Sequence, residues 1–234
     1  MLARQARETG ARFTFHSSRA VLHEVTKESL ERMVAEGDRC ARDLADARVD
    51  ALVYACLIAV MAQGAGAHDA VEAQLADTSR KNGAPIPVIS SAGALVRAIQ
   101  QLRARRVAII TPYLEPLTQL VVDYLAANDI TVVDAISLKV SNNVEVGRLD
   151  PYELIALSRQ LDTSHADAVV ISACVQMPSL PVVERVEHEL GLPVLSAATA
   201  TVFDLLRGLE IEPRVPGAGS LLAGTAPSVA STGG

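Results

Sequence analysis

Short apolar clusters alternate along the chain with longer stretches that carry apolar residues at helical spacing. The clusters predict strands near 11–16, 51–56, 86–89, 106–111, 130–136, 168–173 and 193–196. The longer stretches predict helices near 26–47, 67–81, 91–103, 115–127, 150–161, 179–190 and 198–208. Regular alternation of strands and helices predicts an α/β fold built on parallel sheets.

Two of these helices have recognisable first residues. Thr26 is a suitable N-cap for the first long helix, because its hydroxyl can accept a hydrogen bond from a backbone N–H of the first turn. Asp150 and Pro151 place an acceptor at the N-cap and proline at the first helical position of a later helix. The chain from 224 to 234 consists of Gly, Ser, Thr, Ala, Pro and Val, and we expect it to fray.

An internal repeat is the most informative pattern in the sequence. The segment from Asp50 to Leu57 resembles the segment from Asp167 to Val175, with one residue inserted, and each copy ends an apolar strand on a cysteine. Buried cysteines are common, so chance can produce such a pair. The matching order of flanking elements, a helix before each copy and a helix and a Pro-Val strand after it, favours a true repeat.

The repeat predicts two pseudo-symmetric half-domains, each a parallel sheet flanked by helices, that face each other across a cleft. We assign residues 1–92 and 200–234 to the first half-domain and 93–199 to the second. Ligand sites of open α/β sheets lie at the carboxyl ends of strands, where both cysteines are expected. The strand predicted at 106–111 in the second half has no counterpart in the first half. By analogy with the repeat, we expect roughly 20 residues upstream of Met1 that form the missing strand and a polar loop.

Composition narrows the class of protein. Half of the 234 residues are hydrophobic, only 3% are aromatic and there is no Trp, so the core must consist of Ala, Val, Leu and Ile, as in parallel sheets. A net charge of −6 offers no basic surface for nucleic acid or an anionic membrane. The longest apolar run, Ala51 to Ala62, is shorter than the ~20 residues that span a bilayer.

The cysteines and histidines show no metal-ligand spacing, so no metal is expected. Three cysteines cannot all pair, which predicts free thiols and a cytoplasmic location. Cys56 and Cys174, the cysteines of the repeat, are the chemical candidates, because a thiol is a nucleophile once ionised and can also donate or accept a proton. Cys40 has no counterpart in the repeat and is interpreted as structural.

The sequence around these thiols resembles the Asp/Glu racemase superfamily and, within it, the maleate cis–trans isomerases, over nearly the whole chain to about residue 223. The stretches that carry the resemblance are 13–19, 53–57, 87–95, 111–113 and 172–179. The resemblance implies an enzyme that needs no cofactor and holds two cysteines in a pocket between pseudo-symmetric halves.

The residues beside each cysteine separate the branches of this superfamily. Amino-acid racemases typically carry Asn-Thr after the first cysteine and Thr-His after the second, which hold an ammonium and a carboxylate. This chain has Leu57-Ile58 and Val175-Gln176 there, without such groups. Arylmalonate decarboxylases keep only the second cysteine, so Cys56 argues against that branch.

The resemblance also implies substrate contacts. Tyr113 and Asn143 match residues that bind a substrate carboxylate in the isomerases, although each also suits a loop or turn, and Asn142 beside Asn143 is interpreted as a turn residue. Leu57, Val175 and Met177 are expected to leave room for rotation of the substrate. The serines at 90 and 91 suit an N-cap better than an anion site, and His16 is interpreted as lying outside the site.

The sequence therefore predicts isomerisation of maleate to fumarate through a succinyl-cysteine intermediate. One alternative is a racemase or decarboxylase of another small dicarboxylate. A second is a non-catalytic protein that binds ligands or senses redox state through its thiols. The expected partner is a small dicarboxylate, with no nucleic acid and no membrane, and the expected assembly is a homodimer.

Overall fold

Two parallel sheets carry the fold of the protein, in a computed structural model that describes residues 1–22 and 27–224. The strands are β1 (Leu52–Tyr54), β2 (Val88–Ser90), β3 (Arg106–Thr111), β4 (Thr131–Ser137), β5 (Ala168–Ser172) and β6 (Val194–Ser196). The helices are α1 (Leu2–Thr9), α2 (Lys27–Ala35), α3 (Gly37–Asp46), α4 (Leu57–Met61), α5 (Ala67–Lys81), α6 (Ser91–Gln101), α7 (Glu115–Ala126), α8 (Asn143–Val146), α9 (Glu153–Ser158), α10 (Val183–Leu190) and α11 (Ala197–Gly208). A short 3-10 turn follows at Ser220–Leu222.

The two sheets differ in size. β1 pairs with β2, with Leu52 opposite Val88. The second sheet has four strands in the order β4-β3-β5-β6, with β3 between β4 and β5. All of these pairs are parallel, which confirms the predicted α/β class. Because parallel strands share one direction, the chain segments that follow β1, β3, β4 and β5 are candidates for the ligand-binding end of the fold.

One continuous apolar core joins the sheets. It contains Leu57 of α4, Leu95 of α6, Ile109 of β3 and Leu206 of α11, each of which is at most 2% exposed. A smaller cluster lies between β5, α9 and α10. The core residues are almost all Ala, Val, Leu and Ile, as the scarcity of aromatic residues predicts.

The predicted strand at 11–16 is wrong. Residues 10–22 have no regular secondary structure, and Phe15 is 74% exposed. The alternation of apolar and polar residues suits a strand, but a strand also needs a neighbouring backbone with which to pair, and none of the described strands lies beside this segment. The other predicted strands are present.

The helix predicted at 26–47 is divided into α2 and α3 at Glu36. A Cβ at the next residue, Gly37, would lie 3.2 Å from a methyl group of Leu75, so glycine allows α3 to approach α5 closely. The proposed N-cap Thr26 and the residues 225–234 lie outside the described residues. The helix predicted from Asp150 begins later, because α9 starts at Glu153 with Tyr152 at its N-cap. The Asp150 side chain accepts a hydrogen bond from the backbone N–H of Tyr152 in the turn before it.

Two short helices, α4 and α8, were not predicted. They have five and four residues, which is too short to show a hydrophobic period. Across the described residues, no helix has the length and apolar character needed to cross a membrane.

Candidate active site

A cavity of about 450 Å³ lies where the segments after β1, β3, β4 and β5 meet. Cys56 and Cys174 both line it, as do the predicted contacts Tyr113, Asn143, Leu57 and Val175. The rest of the wall comes from the segment before α2, from α2 and α3, and from residues around β1, α5 and the Cys174 loop. These residues are 16–20, Leu22, Met33, Gly37, Cys40, Ala41, Leu44, Leu52, Val53, Tyr54, Ala55, Ile58, Leu75 and Gln176. Tertiary structure thus brings together residues that lie more than a hundred positions apart in the sequence.

Cys56 is the residue that precedes the first turn of α4. Its backbone is extended, and its thiol faces the backbone N–H of Ala59 at the start of the helix. Burial raises the pKa of the Cys56 thiol to about 11, although the N–H of Ala59 opposes this by stabilising the thiolate. The Cys56 thiol is therefore protonated at neutral pH and must lose its proton before it can attack a substrate.

Cys174 follows β5 in a loop that its neighbours hold in place. The hydroxyl of Ser172 donates to the backbone carbonyl of Cys174 at 2.8 Å and to that of Met177 at 3.3 Å. The backbone N–H of Ala173 donates to the carbonyl of Ile110 in β3, which continues the pairing of the two strands. The loop around Cys174 is thus fixed to the central strands of the larger sheet.

The hydroxyl of Tyr113 donates a hydrogen bond to the thiol of Cys174. Burial and the nearby sulfur atoms hold the pKa of Tyr113 well above its usual value, so the phenol stays protonated. The backbone carbonyl of Tyr113 accepts a hydrogen bond from Lys139, and that of Pro112 accepts one from Val140. These bonds join the loop after β3 to the segment that leads from β4 to Asn143.

Asn142 and Asn143 have different positions. The side chain of Asn142 caps α8 by accepting hydrogen bonds from the backbone of Val144 and Glu145, which is the predicted turn function. Asn143 is the first residue of α8 and lines the cavity. The structure therefore separates two adjacent asparagines, one serving the helix and one facing the site.

The structure places Met177 differently from the expectation. Met177 is 2% exposed and packs in the smaller core cluster between β5 and α10, and it does not line the cavity. The reason is the loop after Cys174, because Ser172 holds the carbonyl of Met177 near the end of β5. The apolar wall near the thiols is supplied by Leu57 and Val175 instead.

Several cavity residues were missed or assigned elsewhere by the sequence. The sequence places His16 outside the site and interprets Cys40 as structural, but both line the cavity. Tyr54 lies two residues before Cys56, and residues at this spacing in an extended strand lie on the same side. The sequence could therefore have predicted that Tyr54 lies near the site. Arg19 and Gln176 line the cavity as well, and only the packing of their loops reveals it.

The two serines where β2 ends and α6 begins are not part of this site. Ser90 caps α6 by accepting a hydrogen bond from Gly93, as the sequence favours, and Ser91 donates to the backbone carbonyl of Tyr54. Both serines are fully buried. Their contribution is to hold the end of β1, and therefore Cys56, against the end of β2.

The arrangement suits a reaction that needs one nucleophile and one acid. The charge of an ionised Cys174 would raise the pKa of Cys56 further, so the two thiols resist ionising together. One thiolate facing one thiol is then the favoured active form. Among the described residues, no group of three or more His, Cys, Asp or Glu side chains could hold a metal ion.

Comparisons with known proteins identify a family model and several maleate isomerases that are similar to this chain. Residues 5–222 match the family model described as arylmalonate decarboxylase. The chain is similar to the maleate isomerase of Geobacillus stearothermophilus, with 56% identity over 212 residues that cover 91% of this chain and 84% of the relative.

Two solved structures are similar over 94% of this chain. A cysteine-to-alanine variant of the Pseudomonas putida S16 maleate isomerase, solved with maleate, has a TM-score of 0.92 at 48% identity, with 89% of that chain covered. A cysteine-to-serine variant of the Nocardia farcinica maleate cis–trans isomerase carries a covalently bound succinylcysteine intermediate. It has a TM-score of 0.91 at 48% identity, with 90% of that chain covered.

Proposed function

The chain belongs to the maleate isomerase family, and on this premise we propose that its Cys56 and Cys174 convert maleate to fumarate without a cofactor. Cysteine-based cis–trans isomerisation is the function that the comparisons support, because a relative at 48% identity holds a succinylcysteine. The observation that carries the assignment to these residues is that both thiols line a single cavity.

The reaction requires the double bond of maleate to become a single bond for a time. The thiolate of Cys56 adds to one olefinic carbon, and the thiol of Cys174 gives its proton to the adjacent carbon, which leaves a succinyl thioether on Cys56. The central carbon–carbon bond then rotates. The thiolate of Cys174 then removes a proton from the same carbon, the carbon–sulfur bond to Cys56 breaks, and the double bond forms again in the trans geometry.

Two substrate carboxylates would raise the pKa of any thiol beside them, so the site needs hydrogen-bond donors. We assign this contribution to the side chains of Tyr113 and Asn143 and to backbone N–H groups after each cysteine. Leu57 and Val175 supply apolar wall that leaves the substrate free to rotate. Arg19 is the arginine of the cavity wall in the described residues, and it favours entry of a dianion.

The finer features of the protein are also proposals. The division into half-domains at 1–92 with 200–234 and at 93–199 follows from the repeat. A cytoplasmic location fits three free cysteines. A homodimer fits the exposed apolar side chains, Phe15, Val21, Leu114, Val144 and Tyr152. Light scattering after gel filtration measures the assembly state, and a monomer at micromolar concentration would contradict the dimer.

The test of the function is to incubate the purified protein with maleate, with no added cofactor, and follow the products by proton NMR. We expect fumarate as the product at the expense of maleate. Racemisation of aspartate or release of CO₂ from an arylmalonate, in place of fumarate formation, would instead support the racemase or decarboxylase alternative. Binding of maleate without turnover would support the non-catalytic one.

A further inference from the structure

We propose that Gln176 is a positioning residue that holds Asn143 in place relative to Cys174, so that the Asn143 side chain meets a substrate carboxylate. This inference rests on the proposed function, because it concerns how the same site binds its dicarboxylate. Gln176 lies two residues after Cys174 and lines the cavity together with Asn143.

The first observation is a hydrogen bond between the two loops. The side-chain amide of Gln176 donates through Nε2 to the backbone carbonyl of Asn143 at 2.5 Å. The two residues are 33 positions apart, so the bond joins the loop after β5 to the helix after β4. Asn143 is thereby tied to the cysteine loop through its own backbone.

The second observation is that the carbonyl of Asn143 lies in a very short helix. The last four carbonyls of a helix have no partner within it, and α8 has only four residues. The carbonyl of Val144 accepts a hydrogen bond from Gly147, and that of Glu145 accepts one from Arg148, in a tightened last turn. The carbonyl of Asn143 accepts the hydrogen bond from Gln176.

The third observation is the small residue beside Gln176. Gly147 has a φ of −73°, which any residue adopts, so its backbone does not require glycine. A Cβ at this position would lie 3.3 Å from Nε2 and 3.4 Å from Cγ of Gln176. Glycine at 147 therefore leaves the space that the Gln176 side chain occupies when it reaches Asn143.

The other end of the connection is fixed as well. Ser172 donates to the carbonyls of Cys174 and Met177, which lie on either side of Gln176 in the loop. An anchored loop can hold a four-residue helix that is too short to be stable alone. Gln176 thus sets the distance between the thiol of Cys174 and the amide of Asn143, two groups that must meet one substrate.

The test is the kinetics of Gln176→Ala with maleate. Removing the hydrogen bond frees α8 and weakens carboxylate binding by Asn143 in the ground state and the transition state alike. We therefore expect KM to rise about three- to tenfold, the range of one ordinary hydrogen bond, while kcat changes less than about twofold. Gln160→Ala is the matched control, because Gln160 is exposed and donates to a backbone carbonyl of α9 away from the cavity.

A double-mutant cycle separates positioning from a general loss of structure. If Gln176 acts through Asn143, then Gln176→Ala should change KM by less than about twofold when Asn143 is already alanine. Gly147→Ala should raise KM in the wild-type background, since its Cβ crowds Gln176. The same substitution should be silent when residue 176 is already alanine.

Each outcome is decisive. A KM for Gln176→Ala within twofold of wild type, or full additivity with Asn143→Ala, overturns the inference while the proposed function stands. Calorimetric titration with succinate, a diacid with no double bond, gives a second readout that does not depend on turnover. A wild-type protein that neither isomerises maleate nor binds succinate overturns the proposed function and this inference with it.

Discussion

Cys56 and Cys174 end strands of similar sequence but lie in different surroundings. Cys56 follows a two-stranded sheet, and its own neighbours offer it burial and one helix N-terminus. Cys174 follows a central strand of a four-stranded sheet, and Tyr113 donates a hydrogen bond to its sulfur. The same local pattern therefore produces two thiols that have different neighbours.

The polar groups near the two thiols also differ in how many of them are hydrogen-bonded. On the Cys174 side, Ser172 and Gln176 hold the loops by hydrogen bonds, and the phenol of Tyr113 has a partner. On the Cys56 side, the hydroxyl of Tyr54 is buried and has no hydrogen-bond partner within residues 1–22 and 27–224. This difference fits the proposed roles, in which Cys174 on the larger sheet transfers the proton and Cys56 on the smaller sheet is the nucleophile.

Replacing either thiol should have the largest effect. Cys56→Ala and Cys174→Ala should each lower kcat by at least ~10²–10⁴-fold, because the adduct and the proton transfer belong to one reaction. A steady-state assay of fumarate formation measures this. Cys40→Ala, at a third thiol that also lines the cavity, should lower kcat far less, because the proposed reaction uses only two thiols. Activity above about a hundredth of wild type in either variant would contradict the two-thiol mechanism.

Trapping the succinyl-cysteine intermediate would test the different roles proposed for Cys56 and Cys174. Cys174→Ser should accumulate a succinyl adduct on Cys56, since a serine hydroxyl is a poorer base for removing the proton. Cys56→Ser should show no adduct on Cys174. Intact mass and peptide mapping after incubation with maleate distinguish these results, and an adduct on Cys174 would reverse the assigned roles.

The dependence on pH tests the protonation of Cys56. Because burial raises the pKa of Cys56 to about 11, only a small fraction of the thiol is ionised at pH 7. As long as the pH is below the pKa, this fraction rises about tenfold for each unit by which the pH increases. We expect kcat/KM to rise with a slope near one from about pH 7 to pH 9, roughly a hundredfold. A plateau already at pH 7 would mean that the substrate-free enzyme holds Cys56 as thiolate.

Removing the phenol beside Cys174 should have a smaller effect. Tyr113→Phe deletes the donor to the sulfur and to a substrate carboxylate, and we expect kcat/KM to fall about ten- to a hundredfold, as for hydrogen bonds to charged groups. Tyr152→Phe is the matched control, because Tyr152 is 60% exposed and outside the cavity. If the two variants had equal activity, the role assigned to the Tyr113 hydroxyl in the reaction would be wrong.

The smallest effect concerns stability. Tyr54→Phe removes a buried hydroxyl with no described partner and should raise the free energy of unfolding by about 1 kcal/mol, or Tm by roughly 2–4 °C. Tyr124→Phe is the contrasting variant, because the hydroxyl of Tyr124 is hydrogen-bonded to His68, so Tm should fall. Calorimetry measures both, and a fall for Tyr54→Phe would mean that its hydroxyl has a partner outside the described residues.

Much of the fold was predictable because it depends on local periodicity and composition. The helix at 67–81 has the predicted limits, and the strand at 106–111 does too, since both bury a regular apolar pattern. The strand predicted at 11–16 failed because strand formation depends on a paired neighbour and not on alternation alone. The helices α4 and α8 were missed because a single turn has no period.

The sequence by itself determined the α/β class, the two cysteines and, through a resemblance, the residues Tyr113 and Asn143. Only the tertiary structure decided that Met177 belongs to the core, that Cys40 and His16 line the cavity, and that Gln176 reaches Asn143. The physical reason is that residue type and spacing define what an element can bury. Which loop a side chain meets depends on how distant segments pack, and this information is absent from any one segment.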